Sequence, residues 1–266
     1  MDDRLPGRLG SERRARILSY VNEHGSAAAA ELEASLRIAP ATLYRDLAAL
    51  ADEGVIRRVR GGAMAADPRD ERPIYLEERL NVEAKRAVAA KAAELIRPGS
   101  TVFLEASTTV HAMVPLLRDV SGLTAVTNSP EIALDLVRGD VEVVLIGGAL
   151  RQRTRSTVGP MAVSALQALQ VELAFVGVSA ITADGLASMN LSEGETKAAI
   201  IASAERAVAL ADASKLGRRG LVHVCAVTRL DRLIVDAGAT ASDVAELEGA
   251  GLAVVLAGRP GSQPLE

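Results

Sequence analysis

Aromatic side chains are almost missing from this chain: they make up 2% of its 266 residues, and there is no tryptophan. Any core must therefore be built from Ala, Val, Leu and Ile, and an apolar fraction of 49% supplies enough of them. Cysteine is scarce too. The single Cys225 excludes an internal disulfide and a cysteine-based zinc site, and its place in the apolar run 222–227 predicts an inert core residue. His24, His111 and His223 are scattered without ligand spacing, so no metal and no cofactor is expected. No uncharged apolar run reaches the roughly 18 residues that a membrane span needs. The charged N-terminus lacks the apolar core of a signal peptide, so the expectation is a cytoplasmic protein with no membrane partner. Net charge is also small, at −4, and gives no general attraction for nucleic acid. It is unevenly placed, however: Arg57, Arg58 and Arg60 stand together with no acid among them.

Those arginines close a patterned stretch, 26–64. Leu32 and Leu36 lie four apart, with Ala29 completing a face, and Leu43, Leu47 and Leu50 repeat at helical spacing. Ile38-Ala39-Pro40 predicts the turn between two helices, with Pro40 suited to the opening of the second. Gly54 is expected to stop that helix. Val55-Ile56-Arg57-Arg58-Val59-Arg60 then reads as a strand, turned by Gly61-Gly62. Helix, tight turn, helix and an arginine-bearing ribbon predict a winged helix-turn-helix, whose second helix lies in a DNA major groove. Thr42, Tyr44 and Arg45 fall near the start of that helix and are candidates for DNA contact, with Arg57, Arg58 and Arg60 in the wing. An earlier helix is expected from a Ser11 cap through Ile17, Leu18 and Val21 to Gly25, preceded by a loose arm over residues 1–10.

The length suits two domains. DNA binding is assigned to 1–66, a charged, proline-bearing linker to 67–82, an α/β domain to 83–257 and a disordered tail to 258–266. A helix is predicted over 76–96. It either packs as an ordinary amphipathic helix or serves as a connector that also dimerises. Beyond it, apolar strand-like runs at 101–104, 123–127, 141–146, 173–178, 207–211, 232–235 and 253–256 alternate with helical stretches. Strands this apolar are covered on both faces, which predicts a mainly parallel sheet.

In an open parallel sheet, ligands sit beyond the carboxyl ends of the strands. The residues just after these strands form a coherent polar set. Glu105-Ala106-Ser107-Thr108-Thr109 follows the first, Asn128-Ser129-Pro130 the second and Gly147-Gly148 the third. Asp212-Ala213-Ser214-Lys215 follows the strand near Leu210. Hydroxyls, an amide, small residues and one lysine suit a phosphate and a polyol. Each is also at home as a helix cap, a turn or a solvated charge, and Glu193 with Lys197 also fits an i,i+4 surface pair.

Several of these segments resemble the DeoR family of bacterial transcription regulators. In the first domain the likeness rests on Thr42-Leu43-Tyr44-Arg45-Asp46-Leu47, Glu53-Gly54 and Arg57-Arg58-Val59-Arg60-Gly61-Gly62-Ala63. In the second it rests on Thr127-Asn128-Ser129, Gly147-Gly148, Glu193-x-x-x-Lys197 and Asp212-x-Ser214-Lys215-x-Gly217. The family usually has arginine at Tyr44, histidine at Arg60 and Asp-x-Gly-Thr-Thr where this chain has Glu105-Ala106-Ser107-Thr108-Thr109. The resemblance implies a repressor of carbohydrate genes. It would bind operator DNA as a homo-oligomer, dimer or tetramer, and sense a phosphorylated sugar in a domain similar to ribose-phosphate isomerase and coenzyme A transferase folds. Glu105, Ser107, Thr108, Thr109, Asn128, Ser129, Gly147, Gly148, Glu193, Lys197 and Lys215 would line that site. The competing reading is a sugar-phosphate isomerase or acyl transferase with an appended helical domain, but no catalytic residue could be assigned and the wing would serve no purpose there.

Overall fold

The computed structural model describes residues 6–52, 55–65 and 72–258, which fall into two compact units, Met1–Pro73 and Ile74–Glu266. The first unit runs α1 (Pro6–His24), β1 (Ser26–Ala28), α2 (Ala29–Leu36), α3 (Pro40–Asp52), β2 (Ile56–Val59) and β3 (Gly62–Ala65). The helix-turn-helix and its wing are therefore present. Arg37 takes a left-handed conformation that closes α2, and the carbonyl of Ala39 accepts from Thr42 and Leu43 as α3 begins. Leu43, Leu47 and Leu50 line the buried face of α3 against Ile17, Val21 and Leu32.

Two expectations for this unit need correction, the loose arm and the Ser11 cap. Helix α1 starts at Pro6, which costs no backbone bond in a first turn, so the arm read over 1–10 is helical from there and Ser11 is no cap. Strand β1 was not anticipated; it pairs antiparallel with β3, making a three-stranded sheet in the order β1-β3-β2. The stop assigned to Gly54 lies outside the described residues, as do residue 66, residues 67–71 of the linker and 259–266 of the tail.

The second unit opens with α4 (Ile74–Glu77) and α5 (Val82–Ala93), then β4 (Thr101–Leu104), α6 (Thr108–His111), α7 (Val114–Leu117), β5 (Thr124–Thr127), α8 (Pro130–Leu136) and β6 (Glu142–Leu145). A ribbon of β7 (Ala149–Arg151) and β8 (Ser156–Val158) leads to α9 (Pro160–Gln167), β9 (Val171–Gly177), β10 (Ala180–Thr182), β11 (Gly185–Ser188), α10 (Leu191–Ala202) and β12 (Ala204–Ala211). The chain finishes with β13 (Val222–Cys225), β14 (Arg232–Asp236), α11 (Ala241–Gly249) and β15 (Ala253–Ala257). Seven strands form one sheet in the order β15-β14-β12-β9-β4-β5-β6, with every pairing parallel.

The five inner strands of this sheet are covered on both faces, with side chains alternating between them as the pleat requires, whereas the edge strand β6 leaves Val144 and Leu145 exposed, so the expected two-sided cover does not reach it. Val102, Leu104, Leu173, Phe175, Val208 and Leu210 pack with α5 to α8, while Phe103, Ala174, Val176, Ala209 and Leu233 pack with α9 to α11. The helix expected over 76–96 is broken: Asn81 adopts a left-handed φ of 52° between α4 and α5. The helix expected after β4 is likewise split into α6 and α7, with Pro115 in the first turn of α7. Cys225 is half-buried at the rim of the core rather than inside it, and burial pushes its thiol pKa up, which fits an unreactive group.

Candidate DNA-binding and effector sites

Helix α3 buries its leucine face, which turns Tyr44 and Arg45 outward near its amino end, with Tyr44 47% exposed and Thr42 half-buried. Asp46 points the other way. It is buried and accepts from Nε and Nη2 of Arg13 on α1, the latter at 3.2 Å. That pair holds the recognition helix to α1 and leaves Arg45 without an acidic partner among the described residues. In the wing Arg57, Arg58 and Arg60 are all exposed, and Arg57 donates to Sδ of its cross-strand neighbour Met64 at 3.7 Å. One helix end and one ribbon thus present exposed cations and a tyrosine, the side chains that contact phosphates and base edges.

In the second unit the chain lays β4 first, moves outward to β5 and β6, then returns to β9 on the other side of β4. Order reverses between β4 and β9, and such a switch point leaves a crevice at the carboxyl ends of the strands. Glu105 leaves β4 there and Gly177 ends β9. The Glu105 carboxylate accepts from the Gly177 amide at 2.9 Å and lies 3.1 Å from the Lys197 ammonium. Lys197 also donates to the Gly177 carbonyl. Both charged side chains are less than a tenth exposed. A Cβ on Gly177 would fall 2.3 Å from Ser107, so glycine is required for Ser107 to pack there. The Ser107 hydroxyl caps α6 by accepting from Val110 N at 3.1 Å. Thr109 is buried and Thr108 half-buried beside it.

Asn128 braces this edge: its Oδ1 accepts from Ala106 N at 2.9 Å and its Nδ2 donates to Thr157 O at 3.2 Å. Ser129 is buried and caps α8 through Ile132 N at 3.3 Å. Gly148 has φ 152°, and a Cβ there would lie 2.9 Å from Val158 O; Gly147 is under no such constraint. Glu193 and Lys197 share a helix face but do not pair. Glu193 instead meets Arg151 at 2.9 Å and accepts from the Thr154 hydroxyl, both on the ribbon. Lys215 joins a separate group, with Glu77 Oε2 2.9 Å from its ammonium.

The structure therefore knits Glu105, Ser107, Asn128 and Lys197 together around the switch point. It links Glu193 to them through α10 and sets Lys215 two strands away on the same edge. Sequence reasoning missed Arg151, Thr154 and Thr157 because the ribbon strands are three residues each and carry no periodic signal. Asn81, Glu77 and Lys85 were missed because their partners are remote in sequence.

Two family models match: the DeoR-like helix-turn-helix domain over residues 13–69 and the DeoR C terminal sensor domain over residues 80–237. The chain belongs to the DeoR family of transcription regulators. It is 35% identical to the HTH-type transcriptional regulator GlpR from Haloferax volcanii, over 93% of this chain and 98% of that one. It is 34% identical to a putative aga operon transcriptional repressor from Escherichia coli, covering 93% and 94%. The Escherichia coli glycerol-3-phosphate regulon repressor is 31% identical, over 85% and 91%. Among solved structures, ribose 5-phosphate isomerase A from Neisseria gonorrhoeae aligns at a TM-score of 0.37 and 18% identity, over 49% of this chain and 52% of that one. A likeness so partial carries no argument about function. As a DeoR-family member the chain is a DNA-binding transcription regulator and not an enzyme, which sets aside the isomerase and acyl-transferase reading. No helix among the described residues is long and apolar enough to cross a membrane.

Proposed function

We propose that this DeoR-family regulator represses genes of carbohydrate metabolism in the cytoplasm as a homo-oligomer, and that a phosphorylated sugar relieves the repression. Thr42, Tyr44 and Arg45 would read the operator, with Arg57, Arg58 and Arg60 gripping its phosphates. The effector would occupy the crevice bordered by Glu105, Ser107–Thr109, Asn128–Ser129, Gly147–Gly148, Glu193, Lys197 and Lys215. The observation that supports it best is the buried Lys197–Glu105 pair at the switch point. Removing two charges from water costs several kcal/mol per ion in order of magnitude, so such a pair is poor economy for stability alone. A polar cleft that orients a hydroxylated anion gives it a purpose. One of the relatives is named for the glycerol-3-phosphate regulon, which favours a polyol or sugar phosphate over other anions. Effector binding changes operator affinity only if the two operator-binding arrangements take up effector unequally.

The test is a gel-shift titration on the promoter of the chain's own gene, with calorimetry against a panel of sugar phosphates. Lys215→Ala is expected to keep operator affinity near that of the wild type while losing the response to effector. If no sugar phosphate binds the wild-type protein at millimolar concentration, the sensing function is refuted. Operator binding would stand independently.

A further inference from the structure

Helix α4 is the first element of the second unit, and residues 66–73 alone separate it in the chain from strand β3 of the wing. It is tied to the effector crevice at both ends. At its start the Ile74 amide donates to the Arg153 carbonyl, in the ribbon loop, at 2.9 Å. At its end Glu77 holds Lys215 at 2.9 Å across 138 residues of sequence. The Glu77 carbonyl also accepts from the ammonium of Lys85, which lies 3.8 Å from its carboxylate. The turn that follows is fixed by Asn81, whose Nδ2 donates to Asp212 Oδ1 at 2.8 Å. Asp212 in turn accepts from the amide and hydroxyl of Ser214.

The loop Asp212-x-Ser214-Lys215 is thus already engaged by the segment that leads back to the DNA-binding unit. We propose that α4 is a latch: the Glu77 carboxylate competes with the anionic group of the effector for Lys215, and effector binding detaches α4 from the crevice edge. This rests on the reading of the crevice as the effector site. A phosphate monoester carries up to two negative charges and three acceptor oxygens, against one charge and two oxygens for Glu77, so it can displace the carboxylate. Lys85 stays behind as a partner for Glu77, which keeps the released carboxylate from being stranded. Burial pushes the Lys85 ammonium pKa down, a cost that its position beside Glu77 partly offsets.

The experiment uses the full-length protein and two variants, Glu77→Gln and the shorter acid Glu77→Asp, each checked for a cooperative melt. Hydrogen exchange of the peptide 74–81, without added anion, should be faster in Glu77→Gln than in wild type. Calorimetry with glycerol 3-phosphate, glucose 6-phosphate and inorganic phosphate should show Glu77→Gln binding roughly tenfold tighter, because the competing closed form is removed. Glu77→Asp is expected to fall between the two. Anion binding that Glu77→Gln leaves unchanged, or exchange over 74–81 that it does not alter, overturns the latch while sensing stands. Failure of all three anions to bind the wild-type protein overturns the sensing function and the latch with it.

Discussion

Lys197→Met is the substitution whose cost the structure constrains most tightly. Methionine keeps the length and apolar stem of the lysine, so packing on α10 changes little. What goes is the ammonium, 3.1 Å from a Glu105 carboxylate whose side chain is only 9% exposed. Glu105 keeps the Gly177 amide at 2.9 Å but loses its counter-charge. Breaking a buried pair by removing one partner costs about 3–5 kcal/mol, mostly from the charge left behind. In a protein of this size each kcal/mol moves the melting temperature by about 2–4 °C, so the second unit should melt roughly 6–20 °C lower.

The double variant Lys197→Met with Glu105→Gln tests the cause. Glutamine can still accept from Gly177, and no buried charge remains, so the double variant should lose only about 1–2 kcal/mol, the scale of a lost hydrogen bond or two. It should therefore be more stable than Lys197→Met alone. Urea unfolding of wild type, both single variants and the double closes the cycle: each single variant strands one buried charge, so the two single losses should together exceed that of the double by several kcal/mol, about 4 or more. Additive losses would show that Lys197 and Glu105 do not stabilise each other, leaving Lys197 its hydrogen bond to the Gly177 carbonyl and its packing, and the electrostatic account of the switch point would fail.

Arg45→Ala should weaken specific operator binding by about 1–3 kcal/mol if the guanidinium reads a base edge; an unchanged gel-shift titration of the folded variant would exclude the contact. Arg58→Ala in the wing should weaken binding to all duplexes alike and make the salt slope shallower by about one unit. A changed operator preference at constant slope would mean that the wing reads bases. For pH, burial pushes the Asp212 carboxyl up, but the Ser214 hydroxyl, the Lys215 ammonium and the Asn81 amide outweigh it and leave its pKa below the ordinary range. A depressed folded pKa means that Asp212 contributes stability above its unfolded value of about 3.9, and that this is lost as pH falls through the native value. The stability difference between wild type and Asp212→Asn should therefore shrink in acid, below about pH 4; a constant difference across an acid melt series would rule this out.

What could be read from the sequence follows from where each signal comes from. The seven strands of the sheet were legible because each carries a mainly apolar run, even the exposed edge strand β6, and 101–104 was placed residue for residue. The ribbon and the strands β10, β11 and β13 were not, since each is as short as β4 but has its apolar run broken by Arg, Ser, Thr, Gly or His. The break at Asn81 was hidden for another reason: 76–96 is helical in composition, and it is a tertiary hydrogen bond to Asp212 that accompanies the left-handed turn. The charged residues of the crevice show the same limit. Helical spacing put Glu193 and Lys197 on one face, and they do share it, but each side chain reaches across to a different segment, Arg151 in one case and Glu105 in the other. Topology, not spacing, chooses those partners. Reversal of strand order between β4 and β9 sets the end of β4 against the end of β9, and α10 then delivers Lys197 to both. A local pattern can mark which residues share a helix face, while the partner each one meets is determined only when the sheet closes in that order.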